Sequence, residues 1–196
     1  MPLPTPNDGA ARVRPALRAL LALRAVLAPL TLLMLAAAGP ARAGLDATEQ
    51  RIVAAVRQHA PQALELLERA ARVNSGTLNP DGVREVGAIF RGEFDALGFA
   101  TRWVDMPSEM RRGGHLVAEH AGTQGPRLLL LGHLDTVFDK SSAVAAWDRR
   151  GERVRGQGVS DMKGGDVIVL EALRALQSVG ALDGMRIAVL FTGDEE

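Results

Sequence analysis

The sequence predicts an α/β domain with a mainly parallel, mixed sheet flanked by helices. Strongly apolar runs at residues 128–131 and 186–191 are typical of buried strands. Segments with a helical spacing of apolar residues alternate with the strand segments. Both apolar runs end in imidazole or carboxylate residues, and ligands of open α/β sheets bind at strand ends. A functional site is therefore expected at one edge of the sheet.

The first 43 residues have the layout of a secretory signal peptide. A basic region precedes an apolar stretch over residues 25–38, and Ala41-Arg42-Ala43 fits a small-x-small cleavage site. The apolar stretch is shorter than the ~20 residues that a membrane-spanning helix needs. We expect cleavage after Ala43 and a periplasmic or secreted protein, without stable membrane association once the leader is removed. An uncleaved membrane anchor and a misplaced start codon are the alternatives.

Residues 44–196 are numerous enough to form one domain core. They carry 18 basic and 22 acidic side chains without a dense basic patch, so nucleic acid is not an expected partner. The chain contains no cysteine and therefore forms no disulfide bonds, even in an oxidising compartment.

Two helical regions are expected before the first strand. Apolar side chains recur at helical spacing over residues 46–73, and Pro61 either divides this segment into two helices or opens the second one. A loop at residues 74–77 follows. Asp81 is predicted as the N-cap of the next helix, and Gly98 as the glycine that terminates it.

Strands are expected at residues 99–105 and 115–120, and the four leucines at 128–131 should form a fully buried strand. Residues 147–154 are predicted to form a hairpin. The last helix is expected at residues 165–179. Its predicted buried side chains are Ile168, Val169, Ala172, Leu173 and Leu176.

Polar residues from three segments should meet at the sheet edge. His133 and Asp135 follow the leucine strand two residues apart, so in an extended chain they project to the same face. Asp161 lies in a glycine-rich loop, and Glu195 and Glu196 follow the last apolar strand. An imidazole and carboxylates on separate loops suit zinc or a similar divalent cation. Without a cation, crowding of the carboxylates should raise their pKa values.

Taken singly, these residues have simpler explanations. His133 could be an ordinary hydrogen-bonded histidine, Asp161 a helix cap and Glu195-Glu196 a solvated acidic pair. The glycine-rich stretch is not a P-loop, because Lys163 is followed by glycine, and it is not a dinucleotide fingerprint, because Asp161 replaces the third glycine. The combination of three clusters favours the metal site.

This combination resembles the zinc-dependent M20 peptidase family, and most closely its glutamate-carboxypeptidase-like branch. The resemblance covers roughly residues 61–196, with 28 residues from His133 to Asp161 and 35 from Asp161 to Glu196. The matching motifs are Gly132-His133-Leu134-Asp135-Thr136-Val137, Gly156-x-Gly158-x-x-Asp161-Met162-Lys163-Gly164-Gly165 and Thr192-Gly193-Asp194-Glu195-Glu196.

The resemblance implies a role for each site residue. His133 corresponds to a ligand of one zinc ion, Asp161 to a carboxylate that bridges two zinc ions, and Glu196 to a ligand of the other. Glu195 corresponds to the general base that takes a proton from water. Asp135 corresponds to the residue that holds the imidazole ring of His133. The family also commonly has a cis peptide bond after the bridging aspartate.

Further parts of the family pattern lie downstream of its glutamate pair: another carboxylate ligand, a final histidine ligand and an inserted lid or dimerisation domain. We therefore expect residues 44–196 to be the N-terminal part of a catalytic domain, with an incomplete two-zinc site and little activity alone. The strand at 186–191 is expected to have one unpaired edge. A homodimer is one expected state of the full-length protein.

The expected reaction is hydrolysis of a peptide or an N-acyl amino acid, with release of a C-terminal amino acid. An aminoacylase, a desuccinylase or an aminopeptidase of the same family is an alternative, because the metal-binding motifs are shared. A non-catalytic remnant that keeps the fold is the alternative from a different class. Glu195 argues against that alternative, because a remnant has no chemical need for the base.

Overall fold

Three α-helices and six β-strands build the part of the chain that the computed structural model describes, residues 44–196. The helices are α1 (Ala47–Arg72), α2 (Pro80–Ala96) and α3 (Lys163–Ser178). The strands are β1 (Ala100–Val104), β2 (His115–His120), β3 (Gln124–His133), β4 (Trp147–Arg150), β5 (Arg153–Gly156) and β6 (Met185–Thr192). The expected signal peptide, residues 1–43, lies outside the described residues. None of these three helices combines the length and apolarity needed to cross a membrane.

Helix α1 runs without interruption through Pro61, so the prediction of a division or a new helix there is wrong. Its first turn is fixed by a capping box, in which the Asp46 carboxylate accepts the Glu49 N–H and the Glu49 carboxylate accepts the Asp46 N–H. Leu66 and Ala70 are buried in the core. Capping and burial offset the backbone hydrogen bond that a proline removes from a helix.

Helix α2 begins earlier than its sequence indicates. Asn79 is the N-cap, and Pro80 occupies the first turn, where its missing N–H costs nothing. Asp81 therefore lies in the first turn, where its negative charge interacts favourably with the helix dipole. Its prediction as the N-cap is wrong. The helix ends at Ala96, and Gly98 follows with a φ of 81°, which confirms the predicted terminating glycine.

The four-stranded sheet has the order β1-β2-β6-β3. β2 pairs antiparallel with both β1 and β6, whereas β3 pairs parallel with β6. The sheet is mixed, as predicted, but only one of its three pairings described within residues 44–196 is parallel. The parallel pair arises because the connection from β3 to β6 contains α3, which crosses over the sheet so that β6 runs in the same direction as β3. β4 and β5 form the predicted hairpin as a separate two-stranded sheet.

The hydrophobic core lies between the helices and one face of this sheet. Phe191 of β6 packs edge-on against Phe90 and Phe94 of α2, with ring centroids 5.6 and 5.5 Å apart. Leu170 and Leu173 of α3 complete the centre of this core. The core therefore fixes β6 and β3 with their carboxyl ends side by side, which is where the site residues lie.

The leucine strand is not fully buried. Leu129 and Leu131 are 62% and 60% exposed, because strand side chains alternate and the helices cover the face that holds Leu130. Within residues 44–196, β3 pairs on one side only, whereas β6 is paired on both sides. The unpaired edge therefore belongs to β3, and its assignment to residues 186–191 is wrong.

Helix α3 starts at Lys163 rather than at residue 165. Ile168, predicted to be buried, is 70% exposed, and Ala172 is also exposed. Leu173 is buried as predicted, and the buried side of the helix also carries Leu170. Lys163 and Asp166 also lie on the buried side of the helix. The hydropathy of charged residues predicts exposure, so the sequence analysis did not place them on this side.

Candidate metal centre

Three side chains from separate segments converge at the carboxyl ends of β3 and β6. His133 is the last residue of β3, Asp161 lies between β5 and α3, and Glu196 follows β6. One ligand atom of each side chain lies within 4.8 Å of the other two. His133 Nε2 is 3.0 Å from Asp161 Oδ1. The structure thus brings together the three residues that the sequence predicts as metal ligands.

The ring of His133 is buried, and Asp135 contacts its Nδ1 atom. Its Nδ1 lies 3.1 Å from the backbone carbonyl oxygen of Asp135 and 3.5 Å from the Oδ1 atom of the Asp135 carboxylate. A proton on Nδ1 can therefore be donated to the Asp135 carbonyl, which leaves the Nε2 lone pair directed at Asp161. This is the tautomer that metal binding through Nε2 requires.

The Asp135 carboxylate has a second set of contacts. It is fully buried, and its Oδ2 accepts the backbone N–H groups of Glu195 at 3.0 Å and of Glu196 at 3.1 Å. The same oxygen accepts the hydroxyl of Thr77 at 2.8 Å. Asp135 therefore connects the end of β3 to the two glutamates that follow β6.

The segment after β6 is held at further points. The Leu134 N–H donates to the Thr192 carbonyl at 2.6 Å, and the Gly193 N–H donates to Nδ1 of His115 at 3.3 Å. The side chain of Asp194 accepts from Arg112. These contacts place the two glutamates on a fixed backbone rather than on a free end.

Glu195 places an exposed carboxylate beside the three ligands. Its side chain is 57% exposed, and its Oε2 lies 3.9 Å from His133 Nε2. At this distance a water molecule near the ligands lies within reach of the carboxylate. The position is compatible with the proton transfer predicted for Glu195.

Lys163 anchors the loop that carries Asp161 to the end of α1. The Lys163 ammonium is fully buried and donates to the carbonyl oxygens of Ala70, at 3.1 Å, and Val73, at 2.9 Å, at the end of α1. Burial lowers the pKa of Lys163 to about 8, and the charge of Asp166 opposes this shift. The peptide bond between Asp161 and Met162 is cis, as the resemblance implied.

Loss of hydration raises the pKa of Glu196, and the charge of Asp161 raises it further. The imidazole of His133 acts in the opposite direction, whereas Glu195 and Asp135 add to the increase. Carboxylates that repel one another in this way favour a cation between them. One imidazole nitrogen and two carboxylate oxygens also form a donor set that suits zinc. The residues present therefore fit a divalent metal ion.

A cavity of about 560 Å³ opens beside Glu196. Its lining residues include Thr77, Leu78, Thr136, Val137 and Lys140. A substrate group attached to a carbonyl at the metal centre could enter this space.

Four supporting residues escaped the sequence analysis: Thr77, Arg112, His115 and Lys163. Lys163 lies in the same motif as Asp161, two residues after it. This proximity was the feature of the sequence that could have indicated its supporting role. The other three lie 18 to 56 residues before His133 in the chain. Their contacts depend on tertiary structure, and no local spacing in the sequence indicates them.

Comparison with known proteins places these residues in a family context. A family model described as Peptidase family M20/M25/M40 matches residues 129–196. Carboxypeptidase G2 of Pseudomonas sp. (strain RS-16) is 33% identical over 138 residues, which cover 69% of this chain and 33% of that protein. Succinyl-diaminopimelate desuccinylase of Methylobacterium nodulans is 43% identical over 84 residues, which cover 38% of this chain and 20% of that protein.

Solved structures share the fold. The dipeptidase Dug1p of Saccharomyces cerevisiae superposes with a TM-score of 0.64 at 14% identity, over 74% of this chain and 34% of that one. The M20 family metallo-carboxypeptidase Sso-CP2 of Sulfolobus solfataricus gives a TM-score of 0.57 at 20% identity, over 68% of this chain and 31% of that one. The chain spans about a third of the length of carboxypeptidase G2 and of both structures.

Proposed function

Because this chain belongs to peptidase family M20/M25/M40, we propose that the complete protein is a zinc-dependent hydrolase of peptide or N-acyl amide bonds. The observation that carries the proposal is the convergence of His133, Asp161 and Glu196, whose ligand atoms lie within 4.8 Å of one another. Two zinc ions are proposed for the complete enzyme, and Asp161 would help to hold them. That number rests on the family resemblance.

In the proposed reaction, His133, Asp161 and Glu196 would hold the cation. A divalent cation supplies Lewis acidity, which polarises the scissile carbonyl and lowers the pKa of water. Asp135 keeps the His133 ring in the tautomer that leaves Nε2 free, since its carbonyl oxygen lies 3.1 Å from Nδ1.

Glu195 acts as the general base in this proposal. Its exposed carboxylate, 3.9 Å from His133 Nε2, accepts a proton from the attacking water. The same carboxyl group then donates the proton to the amine that leaves. Glu196 is assigned to the cation rather than to this task, because one of its ligand atoms lies within 4.8 Å of those of His133 and Asp161.

We propose release of a C-terminal amino acid as the specific activity, since the match to carboxypeptidase G2 extends over 69% of the chain. Lys140 in the cavity beside Glu196 supplies a cation that suits a substrate carboxylate. Removal of a succinyl group is the second candidate. It is supported by the 43% identity to succinyl-diaminopimelate desuccinylase over a shorter segment.

Hydrolysis assays on the purified complete protein test the proposal. An N-acyl glutamate, the same compound with its α-carboxylate amidated, and an N-succinyl amine should be compared. The carboxypeptidase predicts cleavage of the first alone, loss of activity with a chelator and recovery with zinc. Preferential cleavage of the succinyl compound favours the second candidate, and chelator-resistant hydrolysis or no hydrolysis of any compound contradicts the proposal.

We also propose that the protein is exported and cleaved after Ala43, because the leader has the order of a signal peptide. Intact-mass measurement of the protein produced with its leader checks this. The expected mature polypeptide starts at Gly44 and is recovered outside the cytoplasm. A cytoplasmic polypeptide that retains the leader contradicts it.

A further inference from the structure

We propose that the hydroxyl group of Thr77 positions the metal centre by holding the carboxylate of Asp135. Through that carboxylate it fixes the backbone of both Glu195 and Glu196. The consequence for zinc rests on the proposed function, whereas the geometry stands on the contacts of residues 44–196. Thr77 is thus a positioning residue, and it acts through Asp135 rather than on the reacting atoms.

One oxygen atom carries the connection. Oδ2 of Asp135 accepts the Thr77 hydroxyl at 2.8 Å, the Glu195 N–H at 3.0 Å and the Glu196 N–H at 3.1 Å. Asp135 is fully buried, so solvent does not replace a lost donor without a structural change. Among these three donors, the Thr77 hydroxyl is the one that belongs to a side chain, and it comes from the loop between α1 and α2. Without this hydroxyl, the carboxylate is held among residues 44–196 by the two amide donors and by the approach of His133 Nδ1 to Oδ1, so its position is less restrained.

The backbone around Thr77 is held independently of its hydroxyl. The Thr77 N–H donates to the Thr136 carbonyl at 3.2 Å, and the Thr136 N–H donates to the Ser75 carbonyl at 2.9 Å. The Asn79 N–H donates to the Gly76 carbonyl at 2.7 Å. These bonds should keep the loop in place when only the hydroxyl is removed. A valine, which has nearly the same shape as threonine, therefore isolates the contribution of the hydroxyl.

Both functions of the glutamate pair depend on this anchor. The carboxylate of Glu196 is one of the three candidate ligands, and Glu195 is the proposed base. Because their N–H groups share one acceptor, loss of order at Asp135 should affect both residues together. A residue that merely stabilised the fold would not act selectively on these two amides.

Amide hydrogen exchange on the metal-free full chain tests the inference directly. In Thr77→Val, the exchange of the Glu195 and Glu196 amides should be about tenfold faster, whereas Thr77→Ser, which restores the donor, should match the wild type. The amide of Val189 in the core of β6 serves as an internal reference. Unchanged exchange in Thr77→Val, equal acceleration at Val189, or no rescue by serine each overturns the inference.

Zinc titration adds a second readout. Thr77→Val should bind zinc about tenfold more weakly than the wild type and Thr77→Ser, since loss of a supporting contact commonly costs this much in metal affinity. Failure of the wild type to bind zinc contradicts the proposed function, while the amide exchange still decides the inference. Because Thr77 also lines the cavity, a change in KM alone with unchanged amide exchange would overturn the inference in favour of direct substrate contact.

Discussion

Glu195 and Glu196 show how two neighbouring residues of one type take different tasks. Both backbone N–H groups bind the Asp135 carboxylate, at 3.0 and 3.1 Å. The Glu196 side chain joins His133 and Asp161 in the ligand group, whereas that of Glu195 remains 57% exposed beside it. The division leaves one carboxylate for the cation and one for the proton.

Glu195→Gln in the complete protein should lower kcat by about 100-fold or more, because glutamine cannot accept the proton of water. Zinc affinity should stay unchanged, since Glu195 is not one of the three ligands. Hydrolysis rates and zinc titration measure the two effects, and Glu152→Gln in the exposed turn of the hairpin is the matched control. Full activity of Glu195→Gln would show that the base is another group.

Asp166 is a buried carboxylate that the proposed mechanism does not use. It is fully buried and lacks a hydrogen-bond partner among residues 44–196. Burial raises the pKa of Asp166 to about 8, and the charge of Lys163 opposes this increase. The folded state therefore binds a proton that the unfolded chain releases at lower pH. Stability from this group is fully present below pH 4 and is lost as pH rises towards 8.

Asp166→Asn should remove this pH dependence, because the amide does not ionise. Urea unfolding of the wild-type chain is expected to show a free energy of unfolding that falls by a few kcal/mol between pH 5 and pH 8. In Asp166→Asn the fall should be clearly smaller. Lys163 does not mask the effect, since its lowered pKa acts above pH 8. Parallel pH profiles of the two proteins would contradict the assignment.

The site residues were predictable because their side-chain chemistry follows strand ends at readable positions. His133 and the Glu195-Glu196 pair were placed at the sheet edge in this way, and Asp161 was placed there by its glycine-rich loop. The choice of His133, Asp161 and Glu196 as ligands followed from the family resemblance, and the structure brings their ligand atoms together. The contacts of Thr77 with Asp135 were not predictable. They join segments 58 residues apart, and a carboxylate that accepts backbone N–H groups leaves no pattern in a sequence.

Among the elements, the loop between α1 and α2 contacts the site through the hydroxyl of Thr77. Gly76 in this loop forms a parallel bridge with Thr136, and a Cβ atom at Gly76 would lie 2.3 Å from the carbonyl oxygen of Phe138. No such contact arises at Gly92 on the exposed side of α2, where a Cβ atom would have no neighbour within 4 Å among the described residues. The two glycines form a matched pair for substitution.

Gly76→Ala should lower the free energy of unfolding by about 1–3 kcal/mol, because backbone atoms must move to accept the methyl group. Gly92→Ala should raise it by about 0.5–1 kcal/mol, since alanine is the better residue inside a helix. Chemical denaturation measures both changes. Equal effects of the two substitutions would show that the loop yields more easily than its contacts indicate.

The elements themselves were predicted with uneven success, for physical reasons. Strand β2 and the hairpin follow local alternation and turn residues, which the sequence contains. The continuity of α1 through Pro61 depends on capping and on burial of Leu66 and Ala70, which outweigh a local rule. The burial of the leucines in β3 was misjudged, because an apolar run does not tell how many faces of a strand are covered.

At the scale of the whole molecule, β3 leaves an apolar surface beside an unpaired edge within residues 44–196. Leu129 and Leu131 are 62% and 60% exposed on the face opposite the helices. Apolar side chains next to free backbone donors and acceptors favour self-association. The chain on its own is therefore expected to associate at high concentration.

Leu129→Lys combined with Leu131→Lys should reduce this association, because the charges repel one another on the exposed face. The free energy of unfolding should change by no more than about 0.5 kcal/mol. Leu130→Lys is the control, since Leu130 packs against the core and its replacement should unfold the chain. Sedimentation velocity measures the association, and an unchanged distribution for the double variant would place the contact surface elsewhere.

The central claim is that the ends of β3 and β6 and the Asp161 loop together form a metal site. Zinc titration of the full chain, by calorimetry and chelator competition, tests it most directly. The wild type should bind zinc tightly, and Asp161→Asn should weaken binding by at least about tenfold, while the control Asp148→Asn, which loses only a contact with Arg150, should leave it unchanged. Equal zinc binding by all three proteins, or no saturable binding by any of them, would contradict the claim.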